Sequence, residues 1–409
     1  SGGMETVPFA QETNLRRALQ TMRDAGVWLL GSSEHAETSV HDVPRDRAWV
    51  VVVGNEDQGL RRLTQEDCDA ICGGLEALGA QHADGQWSIQ LEQEDVHSAL
   101  EQRLVEMIGP AGRRVHLGRS RNDQVLAALR LYMLDVSAAL AEGARAVATE
   151  LDGVAERQGD LALPGYTHMQ PAMPSTVALW AAGFAAELRD DAVGLAGATR
   201  RADLNPLGSA AGYGVPGLSL DREATRKALA FTHTHEPVTA VQLSRGKAEA
   251  SLIFELTLLL GDLGRLASDL LLFYTEEFAF VSLPDEMTTG SSIMPQKRNP
   301  DVFELVRSAQ AITLGALTET LSITTKLTSG YQRDLQRLKA PLFRSIDLAD
   351  DTLAIMAHAL NGIRFRPEKI DLSDELFAAE RANKLVVEEG IPFREAYQRV
   401  AAMLKRQHE

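Results

Sequence analysis

The chain has 409 residues, of which 44% are hydrophobic, so it can bury a sizeable core and is not disordered as a whole. Its 57 acidic residues exceed its 41 basic ones and give a net charge of −16. This charge argues against a general partner role for nucleic acid or an anionic membrane, although a local basic pocket is compatible with it. Anionic small molecules would need such a pocket.

Cysteine content and the lack of targeting signals predict a cytoplasmic protein. The two cysteines, Cys68 and Cys72, are four residues apart on a predicted helix. We interpret them as reduced packing residues rather than as a disulfide or half of a metal site. No membrane-spanning apolar run or signal peptide is predicted, and residues 1–3, ahead of Met4, are interpreted as a cloning scar.

The first part of the chain has a pattern of its own. Residues 49–54, WVVVVG, form a β-branched run ended by glycine and predict a buried strand. Residues 14–31 predict a helix followed by another strand. We therefore expect a short α/β-like segment, and we place its boundary at residue 70.

Long helices dominate the rest of the sequence. Apolar residues recur at helical spacing in five stretches: 123–160, 174–203, 237–280, 300–326 and 335–361. The predicted fold is mainly all-α, a long-helix bundle. Its helices carry Ala and Leu on more than one face, so we expect them to pack against other copies of the chain. The predicted domains are 1–70, 71–118, 119–361 and 362–409.

Polar side chains gather in loops that precede these helices. The stretch 112–124, GRRVHLGRSRNDQ, places Ser120, Arg121 and Asn122 directly before a helix. Free backbone N–H groups and the helix dipole suit such positions to carboxylate or phosphate. The alternative interpretation is that these residues only cap the helix and carry solvated charge.

A second loop of this kind, LPGYTHMQPAMPS at 163–175, is bounded by Pro and Gly and carries Thr167, His168 and Gln170. Here too, helix-terminal donors favour an anion, and ordinary capping is the alternative. The sequence predicts an irregular loop before the next helix.

The third loop, TTGSSIMPQKRNP at 288–300, has almost nothing to bury. Asn299 and Pro300 predict an N-cap and first turn, which would leave Lys297 at the positive end of a helix. Ser291 and Ser292 follow Gly290, so we expect them on a mobile tether that can close over a ligand.

Four segments carry a family resemblance: HLGRSRNDQV, LPGYTHMQPAMPS, GSSIMPQKRNPDVFELVR and SGYQRDLQRLK. They resemble signature regions of the fumarase/aspartase superfamily and, within it, of the argininosuccinate lyases involved in arginine biosynthesis. The resemblance covers residues 63–409. It implies an all-helical homotetramer whose active sites are each built from three subunits, a succinyl amino-acid substrate with two carboxylates, and fumarate as the product.

The resemblance also implies catalytic roles for particular residues. β-Elimination removes a weakly acidic proton next to a carboxylate, so the site must stabilise an aci-carboxylate intermediate. Ser291 would be the base, with Lys297 and Asn299 meeting the developing charge. His168, oriented by Glu304, would assist proton delivery to the leaving nitrogen.

Further residues would bind the substrate. The resemblance implies this role for Ser120, Arg121, Asn122, Thr167, Gln170, Tyr331, Gln336 and Lys339. Asp95 and His97 match another family position, although an N-cap and packing role is a near-equal alternative. No metal cluster, nucleotide fingerprint or cofactor lysine is visible, so we predict no metal and no cofactor.

The sequence departs from the family pattern at residues 239–250, TAVQLSRGKAEA, where the family more usually has the motif Ser-Asp-Arg-Asp. Arg245 is the candidate for the missing arginine. A modified argininosuccinate or another succinyl-amino compound is therefore an alternative substrate.

A second departure covers residues 14–70. VVVVGNEDQGLRRLTQEDCD resembles the C-terminal part of a SpoU/TrmH-type RNA 2′-O-methyltransferase, and we interpret it as a fused fragment. GSSEHAET at 31–38 weakly resembles the lyase amino terminus instead. A catalytically impaired structural homologue is thus one alternative function, and an RNA-modifying module is the least favoured.

Overall fold

A computed structural model describes residues 28–31, 49–52, 61–93 and 95–407. Contacts within the chain divide it into a first unit, residues 1–117, and a second unit, residues 118–409. The predicted domain boundaries, at residues 70, 118 and 361, stay predictions.

The first unit combines a parallel strand pair with helices. Strand β1 (Trp28–Gly31) pairs with β2 (Trp49–Val52), which confirms the predicted strands. The helix predicted ahead of β1 lies outside the described residues. Helices α1 (Arg61–Ala83) and α2 (Val96–Ile108) enclose a small core that contains Trp87, whose indole N–H donates to the Leu78 carbonyl at 3.0 Å.

Long helices form the second unit, as predicted. They are α3 (Arg121–Gln158), α4 (Val177–Ala198), α7 (Lys247–Tyr274), α8 (Asp301–Thr324) and α9 (Lys339–Gly362). One continuous core of leucine, alanine and phenylalanine side chains runs through them. Burial of this apolar surface is the main favourable term in folding. Among the described helices, α3 alone is long and apolar enough to cross a membrane, but many of its buried side chains belong to this core.

Shorter elements lie between the long helices and after the last of them. The helices are α5 (Arg222–Ala228), α6 (Val238–Leu243), α10 (Ala378–Glu389) and α11 (Phe393–Gln407). The strands are β3 (Ala162–Thr167), β4 (Gln170–Thr176), β5 (Leu204–Asn205), β6 (His233–Thr234), β7 (Val281–Ser282) and β8 (Arg364–Phe365). Strand β5 pairs with β6 in parallel, whereas β3–β4 and β7–β8 are antiparallel pairs.

The prediction of one helix over 237–280 is wrong at both ends. Helix α6 stops at Leu243, and α7 starts only after Gly246, whose φ of +86° suits glycine. A side chain there would also meet the Thr324 methyl group, since a Cβ would lie 2.3 Å from Cγ2. Helix α7 ends at Tyr274, and the chain then continues to β7.

The prediction of an irregular loop over 163–175 is also wrong. This stretch is the β3–β4 hairpin, with Pro164 opposite Pro174. Proline lacks a backbone donor but is tolerated in an edge strand, so it does not prevent a two-stranded ribbon. A two-residue turn, His168–Met169, joins the strands.

Several large apolar side chains of the bundle remain exposed on a single chain. Val193 on α4 and Leu305 on α8 are 66% and 71% exposed, and Phe254 on α7 is 47% exposed. Exposed apolar side chains of this kind suit packing against another copy of the chain, and the oligomer stays a prediction.

Candidate active site

The predicted site residues of the second unit fall into two groups along α3. The amino-end group comprises Ser120, Arg121, Asn122, Tyr331, Gln336 and Lys339. The carboxyl-end group comprises Thr167, His168, Gln170, Ser291, Lys297, Asn299 and Glu304. Since α3 has 38 residues and an α-helix rises 1.5 Å per residue, about 57 Å separates its ends.

A capping box organises the amino-end group. The Ser120 hydroxyl accepts a hydrogen bond from the Asn122 N–H, and the Ser120 N–H donates to Asp123 Oδ1 at 2.9 Å. Asp123 is fully buried, and its Oδ2 accepts from the backbone N–H groups of Gly208 and Ala210 at 2.9 and 3.0 Å. One carboxylate thus fixes both the start of α3 and the loop at 208–214.

The same loop positions the segment at 328–339. The Tyr331 N–H donates to the Ala211 carbonyl at 3.0 Å, and Gln336 Nε2 donates to the Tyr331 hydroxyl at 2.9 Å. Lys339 begins α9 directly after this segment. The structure therefore brings Tyr331 and Gln336 to the end of α3 that carries Ser120 and Asn122.

The hairpin and the 288–300 loop both lie at the carboxyl end of α3. Gln158, the last residue of α3, exchanges two hydrogen bonds with the backbone of Phe365 at 2.8 and 2.7 Å. Phe365 pairs with Val281, just upstream of the loop. Tyr166 of β3 contacts the Phe278 ring, with centroids 6.0 Å apart. The carboxyl-end residues thus share one end of the bundle.

His168 is at the strained tip of the hairpin. Its φ is +53° and that of Met169 is +61°, a left-handed conformation that costs a non-glycine residue on the order of 1 kcal/mol. Thr167, His168, Met169 and Gln170 are all exposed. The His168 side chain makes no hydrogen bond or ion pair with any described residue of its own chain. It therefore projects from the bundle and can be reached from outside.

Short backbone contacts close the 288–300 loop. Thr289 and Asn299 exchange N–H to carbonyl hydrogen bonds at 3.0 and 2.8 Å, so both ends of the loop are joined. Within the loop, the Ser291 hydroxyl accepts from the N–H groups of Ile293 and Met294 at 3.3 and 3.2 Å. These donors face the oxygen that would carry negative charge if Ser291 lost its proton.

Asn299 is not the N-cap of α8, so that prediction is wrong. The cap position is Pro300, which provides no side-chain acceptor. The Asn299 amide instead lies 3.4 Å from Thr289 Oγ1 and from the Gly290 carbonyl, across the base of the loop. The first turn of α8 consequently has no side-chain cap, and Lys297 and Glu304 beside it are exposed. An uncapped helix start with a nearby ammonium group can bind an anion.

His168 and Glu304 make no contact with each other that the described residues record. Both are exposed at the carboxyl end of α3. The predicted orientation of His168 by Glu304 is therefore not seen within one chain and would require a second copy.

Arg245 lies in a buried ion pair. Its side chain is 3% exposed, and its Nε is 3.5 Å from Glu249 Oε1. The other Glu249 oxygen accepts from the Gly246 N–H at 2.8 Å. Contact between Arg245 and a substrate would require this pair to open, because the side chain does not reach the surface.

Asp95 and His97 lie in the first unit, at the start of α2. The Asp95 carboxylate accepts from the Ser98 N–H at 2.9 Å and caps this helix. The N-cap alternative proposed for Asp95 is thus realised.

Asp123 was not among the residues predicted from the sequence. Its signal was present, since Ser120 followed three residues later by an acidic residue is a capping-box pattern. The glycine-rich stretch 208–214 was missed as well. Gly212 of this stretch has a φ of +123°, and a Cβ there would lie 3.1 Å from the Gly330 Cα. Glycine clustering is the signal for such a close approach.

Comparison with known proteins identifies the family. The profile of a protein family described as a lyase matches residues 33–315. An argininosuccinate lyase of Sorangium cellulosum is 46% identical over 351 residues, which is 84% of this chain and 81% of the relative. One from Thermotoga neapolitana is 40% identical over 341 residues, covering 83% of this chain and 85% of the relative. The match from residue 33 overlaps the segment compared above with an RNA methyltransferase.

Solved structures share the fold. EDDS lyase in complex with formate superposes with a TM-score of 0.71 at 25% identity, covering 83% of this chain and 67% of that one. A class II fumarase from Schistosoma mansoni has a TM-score of 0.64 at 19% identity, covering 76% and 71%. The fumarase shows likeness of fold alone. Taken with the matches to the curated relatives, these results show that the chain belongs to the argininosuccinate lyase family of the fumarase/aspartase superfamily.

Proposed function

We propose that this lyase cleaves argininosuccinate into arginine and fumarate by β-elimination, with Ser291 as the base. The observation that carries the proposal is the pair of backbone N–H groups facing the Ser291 hydroxyl at 3.3 and 3.2 Å. A serine hydroxyl is a poor base unless its deprotonated form is stabilised. Donors already aimed at that oxygen meet this need, as would the ammonium group of Lys297.

The reaction sequence follows from the chemistry of the bond that breaks. Ser291 takes the proton from the carbon next to a succinyl carboxylate, and the electron pair moves into that carboxylate to give an aci-carboxylate. The pair then forms the double bond of fumarate while the C–N bond breaks. The departing nitrogen takes up a proton from His168, directly or through water, and becomes part of the arginine guanidinium.

The aci-carboxylate carries extra negative charge that the site must meet. Lys297 and the uncapped start of α8 supply a cation and free N–H donors, and Asn299 adds an amide. Preorganised donors of this kind are worth about 10²- to 10³-fold each in rate. Closure of the 288–300 loop over the substrate would exclude water and strengthen these interactions.

Each active site is assembled from several copies in a homotetramer. The two groups are at opposite ends of a helix about 57 Å long, so one chain cannot bring both to one substrate. An antiparallel neighbour places its carboxyl-end group beside the amino-end group of the first chain. His168 and Glu304 both belong to the carboxyl-end group and do not meet within one chain, so their contact requires the carboxyl end of a third copy at the same site.

The amino-end group binds the ends of the substrate. Ser120, Arg121 and Asn122 line the start of α3, and Gln336 and Lys339 face the carboxylates of one moiety. Thr167, Gln170 and Tyr331 complete the contacts, and Asp95 and His97 are further proposed substrate-binding residues. Arg245 supports this region from within its buried ion pair.

A related succinyl-amino substrate is a second candidate. The likeness to EDDS lyase at 25% identity and the altered stretch at 239–250 favour it. Residues 14–70 are interpreted as a fused methyltransferase-like fragment from their sequence pattern, whereas the lyase profile already matches from residue 33. In the cell we place the protein in the cytoplasm, in arginine biosynthesis.

The test is fumarate formation, followed by its ultraviolet absorbance, when purified protein is given argininosuccinate. Ser291→Ala should lower turnover by about 10³-fold or more, since it removes the base. Ser292→Ala is the matched control, because Ser292 is adjacent and exposed. Equal turnover in the two variants would disprove the role of Ser291. Active Ser292→Ala enzyme that releases fumarate only from another succinyl compound would favour the second candidate.

A further inference from the structure

A basic cavity lies in the second unit between the carboxyl end of α4 and the amino end of α7. Its volume is about 560 Å³, and no residue of the amino-end or carboxyl-end group lines it. Its polar lining consists of Arg200, Arg201, His233, His235, Ser244 and Lys247. Leu204, Ala240 and Leu243 form the apolar part of the wall.

The positive charge at this cavity is uncompensated within the described part of the chain. Arg200, Arg201 and Lys247 are exposed at its mouth, and their side chains form no ion pair with any described residue. Among the described residues that line it, none is acidic. Three such cations in a chain of net charge −16 make a local field opposite to that of the whole protein.

The floor of the cavity is a buried cationic network. Arg130 is 2% exposed, and its guanidinium lies 3.1 Å from His235 Nδ1 and 2.9 Å from Ser244 Oγ. Burial lowers the pKa of His235 to about 4, helped by the charges of Arg130, Arg222 and Lys247. The imidazole is therefore neutral at physiological pH, and the guanidinium donates to its Nδ1.

The cavity continues into a second one of about 710 Å³, which shares Arg200, Arg201 and Lys247. Glu255 and Phe254 line the far part of this extension. Arg200, Arg201 and Lys247 thus lie where the two cavities meet. An anionic group held there would leave room on either side for the remainder of a molecule.

We propose that this cavity binds a small molecule carrying two or more negative charges, such as a phosphate ester or a polycarboxylate. Arg200 and Arg201 would make charge-assisted hydrogen bonds to its anionic oxygens, and Lys247 would contribute a further charge. The volume falls within the range of small-molecule sites, about 300–1,000 Å³. Leu204 and Leu243 provide an apolar wall for the ligand's carbon skeleton.

The test measures binding of two probes, pyrophosphate and citrate, to the assembled protein by isothermal titration calorimetry. Arg200→Gln/Arg201→Gln removes two of the cations. Arg394→Gln/Arg406→Gln on α11 is the matched control, because it removes the same charge from exposed arginines elsewhere. Pyrophosphate preferred over citrate would identify a phosphate-type ligand, and the reverse a polycarboxylate.

We expect saturable binding to the wild type and to the control, weakened at least about tenfold in the Arg200/Arg201 variant. Equal weakening in both variants, or no binding by the folded wild type, would overturn the proposal. Displacement of the probe by argininosuccinate, in proportion to occupancy of the active site, would also overturn it, because the probe would then be bound at the active site. Loss of assembly in the Arg200/Arg201 variant, with no probe binding to the wild type, would mean that acidic side chains of another copy fill the cavity. Fumarate formation is measured on the Arg200/Arg201 variant as well. If the variant still forms fumarate, the lyase assignment holds whatever the binding result.

Discussion

The two ends of α3 both carry motifs of the family resemblance but are built in different ways. At the amino end, buried Asp123 makes hydrogen bonds to three backbone N–H groups, and Tyr331 and Gln336 are fixed to the same framework. At the carboxyl end, the side chains of His168, Lys297 and Glu304 are exposed and make no hydrogen bond or ion pair with the described residues of their own chain. The amino end is thus held together within the chain, whereas we propose that the carboxyl end is completed by another copy.

This difference fits the separate tasks proposed for the two groups. Groups that hold a substrate in place benefit from a rigid framework, since misplacement by a small distance is costly. Groups that move protons must approach the substrate after it binds, so they are carried by a hairpin tip and a loop. The following predictions test whether the two ends are independent parts of one composite site.

The largest expected effect is recovery of activity in mixed assemblies. Asn122→Ala removes an amino-end contact and Ser291→Ala removes the proposed base, so each variant alone should lose about 10³-fold in turnover. Unfolded and refolded together, the two chains should regain a substantial fraction of wild-type turnover, because some sites receive both intact groups. The measurement is fumarate release by the mixture compared with each variant alone.

Ser291→Ala mixed with Lys297→Ala is the control for this experiment. Both changes affect the 288–300 loop, so no site can receive an intact loop and activity should stay low. Recovery in this control, or none with Asn122→Ala, would contradict a composite site. A stable monomer by light scattering would contradict it as well.

Asp123→Asn should cause the next largest effect, on stability rather than on turnover alone. An asparagine amide has one acceptor oxygen, whereas the Asp123 carboxylate accepts backbone N–H groups through both of its oxygens. The buried N–H groups that face the amide nitrogen would therefore lose their acceptor. We expect a loss of about 2–4 kcal/mol in the free energy of unfolding. Urea unfolding measures it, with Asp160→Asn at the exposed opposite end of α3 as control. A loss equal to that of the control would show that the amino end is not organised by Asp123.

The sequence predicts the bundle better than it predicts the site. Helical spacing of apolar residues locates the long helices because burial of one continuous core decides their positions. It fails at Gly246, where one backbone conformation divides a helix without changing the apolar pattern. It also fails at the hairpin, because Pro and Gly usually indicate a loop and here form part of an antiparallel ribbon.

The sequence proposes the site residues but records only part of their arrangement. The motifs single out Ser120, His168 and Ser291, and the helix predicted over 123–160 already separates Ser120 from His168. No pattern in the sequence places Ser291 at the same end of that helix as His168. Asn299 shows the same limit, since an Asn-Pro pair predicts an N-cap whereas the cross-loop bridge to Thr289 orients the amide elsewhere. Contacts distant in the sequence decide these positions, and local patterns do not record them.

The helices that join the two ends carry a pH-dependent group, Asp191 on α4. Burial raises its pKa to about 7, with further contributions from Asp262, Asp190, Glu187 and Glu255. Because the folded-state pKa exceeds the unfolded one, its contribution to stability is present below about pH 4 and is lost as the pH rises to about 7. Asp191→Asn should therefore stabilise the protein at pH 8 by about 1 kcal/mol, a value reduced by nearby solvent.

Thermal unfolding at pH 8 and pH 4 measures the Asp191 effect. The stabilisation should be clear at pH 8 and should vanish at pH 4, where the native carboxyl is already neutral. Asp160→Asn should show no comparable pH-dependent difference. A stabilisation that is the same at both pH values would mean that ionisation of Asp191 is not its cause.

The smallest expected effect concerns strain at the hairpin tip. Met169 has a φ of +61° and is 68% exposed, so it holds a left-handed conformation without a compensating buried contact. Glycine adopts that conformation freely but has more freedom to lose on folding, which leaves a net stabilisation of about 0.5–1 kcal/mol for Met169→Gly. Met173→Gly is the control, because Met173 is also exposed but lies within β4, where glycine weakens a strand. If Met169→Gly stabilises the chain yet lowers turnover, the strained tip serves to orient His168 toward a neighbouring copy. If it stabilises the chain without changing turnover, the hairpin alone orients His168. The carboxyl-end group is then held more rigidly than its exposure implies.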